Sequence, residues 1–167
     1  MVVRISYSFD SGVAPTRFAA MADAGLDMTP LMDQIGALLE QSARDRIEDT
    51  NVAPDGAAWP QSLRAKEDGG LTLFESGRLA ASITHTADPA RTDIGSNLIY
   101  AGVHQAGATI VPRNAEALFF QLPNGEYVTV ASVTIPARPY LGVSDQDELE
   151  IYDLVEDFFL GAFGDVQ

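Results

Sequence analysis

Between Leu31 and Ile47 apolar or small residues return at helical spacing, at Leu31, Ile35, Leu38, Leu39, Ser42 and Ile47. That period commits one face of a helix to burial and puts Asp33, Glu40, Gln41, Arg44 and Glu48 on the other. Thr29-Pro30 opens the helix, with a capping hydroxyl followed by proline at the first helical position, and the pattern ends near Asp49. A second long helix is read at the other end of the chain. Ser144, with Asp147 three residues on, makes a capping box in which Asp stands where Glu is usual. Ile151, Val155, Phe158, Phe159 and Ala162 form its apolar face, with Glu150, Asp153, Glu156 and Asp157 opposite. Leu149 and Leu160 stand three turns apart among those acids, placed for a second contact.

The stretches between read mostly as strand and turn. Val3, Ile5, Tyr7 and Phe9 alternate with polar residues, the period of a half-buried strand, and Asp10 to Ala24 follow as an arm. Asp49 to Gly70 holds Pro54-Asp55-Gly56 and Trp59-Pro60 without sustained periodicity, a long loop with Trp59 as its anchor. Leu71 to Ile83 predicts a short helix with Gly77 in its middle. Asp93 to Gly95 reads as a strand end, and the segment from Ser96 to Gly107 as a turn of helix closed by Gly107. Further strands are expected at Thr109 to Val111, Leu118 to Leu122, Glu126 to Val130 and Val133 to Pro136. Pro123-Asn124-Gly125 turns a hairpin between the second and third of these. The expected fold is α+β: a mostly antiparallel sheet of four to five strands, two main helices packed on one face, and long extended loops. One domain over 1–167 is expected, with a strand and arm at 1–28, the loop at 49–70 and the last helix at 144–163.

Composition narrows the chemistry. Apolar residues make up 46% of 167, enough for a core, and 10 basic against 24 acidic residues give a net charge of −14. Such a surface favours solubility and disfavours a grip on nucleic-acid phosphates. There is no cysteine, no apolar run of membrane-spanning length and no secretory signal pattern. His85 and His104 are the only histidines, and neither has a nucleophile or carboxylate framed beside it in sequence. No nucleotide-loop, metalloprotease or calcium-loop spacing occurs. The chain is therefore read as a non-enzyme without cofactor or metal. Arg78 and Arg138 could touch phosphate, but a salt bridge to an acid is the stronger expectation.

Four segments in order, PDGAAWPQ (54–61), LFESGRLAASI (73–83), IGSNLIYAGVHQAG (94–107) and IPARPYLGVSDQD (135–147), resemble the tailed-bacteriophage virion-morphogenesis, or tail-completion, family. The resemblance runs from about Thr29 to Phe159. It implies a structural virion protein of the phage neck, made in the host cytoplasm. Such a protein would form a homo-oligomeric, hexameric ring that completes the tail and joins it to the filled head. Its neighbours would be the tail tube protein and head-completion proteins, with DNA passing through without specific binding and no membrane involved. A head-side adaptor or stopper, or a capsid-assembly factor, is the alternative, and a hydrolytic enzyme a remote one. The departures from the family are the region before Thr29, the acidic last helix, and a loop after the first helix that keeps only Arg64 and Lys66 as basic residues.

In IPARPYLG (135–142) two prolines hold the chain in an extended path from the sheet to the last helix. The planar fork of Arg138 is expected to lock this junction or to bridge to a neighbouring copy. The residues expected at subunit or partner interfaces are Trp59, Tyr100, Arg138, Pro139, Tyr140, Leu149 and Leu160. Glu150, Asp153, Glu156 and Asp157 are expected to line a negative bore.

Overall fold

The computed structural model describes residues 3–6 and 27–163, without the side chains of 3–6, 162 and 163. Tyr7, Phe9, the N-terminal arm and the Ala162 side chain therefore lie outside what it describes. In chain order the elements are β1 (Val3–Ser6), α1 (Thr29–Asp45) running into a π-helical turn (Arg46–Thr50), α2 (Leu63–Asp68), α3 (Arg78–Ala81), β2 (Ile83–Asp88), β3 (Arg91–Ser96), α4 (Ala101–Ala106), β4 (Ala108–Ile110), β5 (Leu118–Gln121), β6 (Tyr127–Val130), β7 (Val133–Ile135) and α5 (Asp145–Phe163).

The first helix buries Leu31, Ile35, Leu39 and Ala43 as its spacing demands. Its start is capped by Asp27, whose Oδ1 accepts from the Thr29 amide at 2.9 Å, rather than by the Thr29 hydroxyl. The π turn then brings the consecutive residues Arg46 and Ile47 both inside. Asn51 ends it in the left-handed region at φ 53°, a conformation asparagine tolerates because its amide bonds locally. Here the Asn51 Nδ2 donates to the Ile47 carbonyl at 3.1 Å.

The strands are antiparallel, but they form three small sheets instead of one. β1, β3 and β2 make a three-stranded sheet with β3 central, while β4 pairs with β7 and β5 with β6. Pro112 and Pro136 follow the ends of β4 and β7 closely, and an imide nitrogen cannot extend a ladder, so these strands stop at three residues. α1 lies across β2 and β3, whereas α5 packs on α1, so the two long helices do not share one sheet face.

The helix expected over Leu71–Ile83 is confined to α3 at Arg78–Ala81, with turns before it and Ile83 already in β2. Gly77 at φ 72° is the residue before α3, not its middle, and Leu73 is also left-handed at φ 69°. A helix cannot run through two such positions. The loop from Asp49 to Gly70 is likewise not extended throughout. Ser62 caps α2 by accepting from the Ala65 amide at 3.1 Å.

α1 meets the sheet through polar residues that its period had assigned to solvent. Glu40 Oε2 accepts from the backbone amide of His85 at 3.0 Å and sits 2.7 Å from its Nδ1. Arg44 donates to the Ile83 carbonyl at 2.9 Å. Gly36 makes this approach possible, because a Cβ there would stand 2.4 Å from the His85 ring and 2.5 Å from the Thr92 hydroxyl. The core is one cluster that joins α1, Ile83 and Ile94 of the sheet, Trp59, Ala101, Tyr140, Leu141 and Ile151 of α5.

Candidate functional site

The segment from Ile135 to Gly142 is where four distant parts of the chain meet. Its extended backbone cannot satisfy its own polar groups, and several are met from elsewhere in the chain. The Arg138 amide donates to the His104 carbonyl at 2.7 Å. Gln105, one residue on in α4, accepts from the amides of Tyr140 and Leu141 through Oε1, both at 3.0 Å. Its Nε2 donates to the Leu141 carbonyl at 3.0 Å. The side chain thus takes the place of a missing strand. Gly107 lets the two backbones touch, since a Cβ there would lie 2.8 Å from the Ala137 nitrogen, at a φ of 72°.

Arg138, Tyr140 and Leu141 of the segment are buried, while Pro136 and Ala137 are exposed. The Arg138 Nε donates to the Pro60 carbonyl at 2.7 Å. The Trp59 indole Nε1 donates to the Pro139 carbonyl at 3.0 Å. Tyr140 is fully buried and its hydroxyl donates to the Ala101 carbonyl at 3.2 Å. Burial, and secondarily the neighbouring Tyr100, pushes the Tyr140 phenol up to about 12.

A buried ion pair closes the joint. Arg46 Nη1 donates to the carbonyls of Tyr140 (3.1 Å) and Gly142 (3.0 Å), and Nη2 to the carboxylate of Asp147. The same Asp147 Oδ2 accepts from the Ser144 amide and hydroxyl, each at 2.7 Å, while Ser144 Oγ accepts from the Asp147 amide at 3.2 Å. This is the expected capping box with a third member added. Burial pushes the Asp147 carboxyl up, but hydrogen bonds from Ser42 and Ser144 and the Arg46 charge outweigh it and hold it below the ordinary range.

The expected site residues thus divide. Trp59, Arg138 and Tyr140 are buried within their own chain, and Pro139 is half-buried against Trp59. Tyr100, Leu149 and Leu160 are exposed, the two leucines to 59% and 63%. Glu150, Asp153, Glu156 and Asp157 are exposed along α5. Arg46, Gln105 and Asn51, which hold the joint and the loop, were not singled out from sequence. A signal for Arg46 existed: it follows Leu39 by seven residues, two helical turns, and so falls on the buried face.

Beside the joint lies an open cleft of about 630 Å³, lined among others by Arg64, Arg78, Tyr100, His104, Leu122 and Arg138. Among the described residues Arg78 and Arg138 do not make the salt bridges expected of them. Arg138 bonds a carbonyl, and among the described residues Arg78 has no hydrogen bond or ion pair. Burial, and then the Arg138 charge, lower the basicity of His104, whose Nδ1 is buried without a partner among the described residues. His85 is held on β2 between Glu40 and Asp33, bound to the α1 surface. The two histidines serve different elements and share no site.

Residues 13–159 match the phage virion morphogenesis family. The chain belongs to that family. It is 28% identical over 139 residues to the Mu-like prophage FluMu G protein 2 of Haemophilus influenzae, covering 83% of each chain. It is 33% identical over 122 residues to the putative capsid assembly protein G of Escherichia phage Mu, covering 69% of this chain and 67% of that one. No solved structure matches. The family is one of particle assembly, not catalysis, which agrees with the reading of the chain as a non-enzyme. Among the described residues no helix is long and apolar enough to cross a membrane.

Proposed function

We propose that the protein is a structural assembly subunit on the head side of the phage neck, a capsid-assembly or adaptor component that works as a multimer. The observation that carries this reading is the 33% identity to a phage Mu protein named as a putative capsid assembly protein. The geometry supports a building block. The joint at 135–147 sets the angle of α5 through buried bonds, and α5 carries exposed leucines outward. Copies that close a ring need such a fixed angle, because errors accumulate from one interface to the next.

A second reading keeps the protein on the tail side, as a hexameric completion ring that meets the tail tube protein and the head-completion proteins. The resemblance of its four segments to tail-completion proteins favours it. In either station DNA passes without specific binding, and acids on the outer face of α5 give the bore a negative lining that repels phosphate.

Particles from a phage lacking this protein separate the readings. Failure to accumulate normal heads, or heads that leak DNA, is expected for the head-side reading. Normal filled heads beside overlong or ragged tails support tail completion instead. Mass spectrometry of purified virions then tells a resident subunit from a factor that leaves before maturation.

A further inference from the structure

Three of the ten basic residues, Arg64, Arg78 and Arg138, line one cleft of a molecule with a net charge of −14. Asp68 and Glu75 are the carboxylates on its lining, which leaves the cleft with a surplus positive charge. Arg64 is committed to the carbonyls of Leu71 and Phe74 at 2.6 and 2.7 Å, with Asp68 3.9 Å away. Arg138 is 5% exposed and has no ion pair among the described residues. Arg78 is exposed and free there of both hydrogen bonds and ion pairs. A desolvated arginine beside an unpaired one is a site short of counter-charge. Burial lowers the basicity of both Arg138 and His104, as expected for groups that lack an anion. Leu73, Leu79 and Leu122 add apolar lining.

The complementary surface is on α5. Leu149, Asp153, Glu156 and Leu160 recur at intervals of four, three and four residues, which places them in one stripe. All four are exposed. The stripe has carboxylates at its centre and a leucine at each end, and extends about 16 Å at 1.5 Å per residue. No described residue of α5 lines the cleft, so the two surfaces are separate patches on one chain.

We propose that the Leu149–Asp153–Glu156–Leu160 stripe of one copy docks in the Arg78 cleft of the next, its carboxylates meeting the Arg78 guanidinium and its leucines covering the cleft's apolar lining. The assignment rests on the multimeric reading above for its choice of a second copy, and it names the two faces that join. Because the faces differ, the contact is heterologous, and it repeats head to tail until the rotation closes. Of the acids on α5, Asp153 and Glu156 then belong to the subunit contact, and Glu150 and Asp157, on the flank of the stripe, remain for the bore.

The test uses the full chain, with self-association followed by sedimentation velocity. Arg78→Glu reverses the cleft; Asp153→Arg with Glu156→Arg reverses the stripe. All three positions are exposed, and circular dichroism with a thermal melt verifies that the fold is kept. Each variant alone should associate at least about tenfold more weakly than the native chain. An equimolar mixture should recover association, because each reversed patch meets its reversed complement on the other variant. Native-strength association of both variants overturns the docking and leaves the multimeric reading standing. Loss in each variant without recovery in the mixture also overturns the pairing. A native chain that stays monomeric at every concentration overturns the multimeric reading together with the docking.

Discussion

The Arg46 guanidinium reaches two carbonyls of the joint and the carboxylate of Asp147, and both charged side chains are almost wholly buried. Truncating one partner of such a pair leaves the other charge buried and alone, at a cost of about 3–5 kcal/mol. Arg46→Ala is therefore expected to lower the urea midpoint by a corresponding amount, read by tryptophan fluorescence from Trp59. Asp147 links this joint to pH. Its carboxyl is held below 3.8 in the fold, so as pH falls through 3.8 the unfolded chain takes up the proton first. The stability it contributes is complete above 3.8 and is lost as pH falls toward the lower folded value. Asp147→Asn should flatten that part of the stability profile in acid titrations, while lowering stability at neutral pH. At this scale the capping box could be read from Ser144 and Asp147 alone. Its union with Arg46 could not, because the two residues lie 101 positions apart and neither one's period names the other.

α1 is a helix whose apolar stripe was plain and whose polar face was deceptive. Glu40 and Arg44 turn toward β2 because the sheet lies against that flank. Gly36 permits the approach, and the His85 ring it faces is held by Glu40 and Asp33 and has little room to move. Gly36→Ala should destabilise by about 1–3 kcal/mol through overpacking, seen as a lower melting temperature. The β5–β6 hairpin is the opposite case. It is a two-stranded sheet with Phe119 and Tyr127 exposed and stacked, ring centres 5.3 Å apart. Such a hairpin is marginal in water unless something covers it. Amides from Leu118 to Val130 should exchange with deuterium far faster than those of β2 and β3 in the isolated subunit. Comparable protection of the two would show that the hairpin is as stable as the central sheet.

For the whole molecule, one core joins α1, the three-stranded sheet, the 135–142 joint and the base of α5, so the direction of α5 is tied to the fold as a unit. At this scale the net charge of −14 gives the molecule a negative surface potential. Glu150→Gln with Asp157→Asn should leave assembly intact and slow genome release, measured by single-particle DNA ejection from purified phage. Loss of assembly in that variant would instead place these acids in a subunit contact.

The order of residues by itself determined the two long helices, the buried stripe of the first, the turn at Pro123–Gly125 and the stop at Gly107. These depend on neighbours within about a turn, where spacing, caps and proline rings act directly. It also carried the family, through four short segments in order. Only the tertiary structure decided that the strands split into three sheets, that the helix expected over Leu71–Ile83 shrinks to Arg78–Ala81, and that Trp59, Arg138 and Tyr140 face inward while Leu149 and Leu160 face out. Sheet partners and buried polar bonds form between residues far apart in the chain, and which of them meet depends on how the whole core closes.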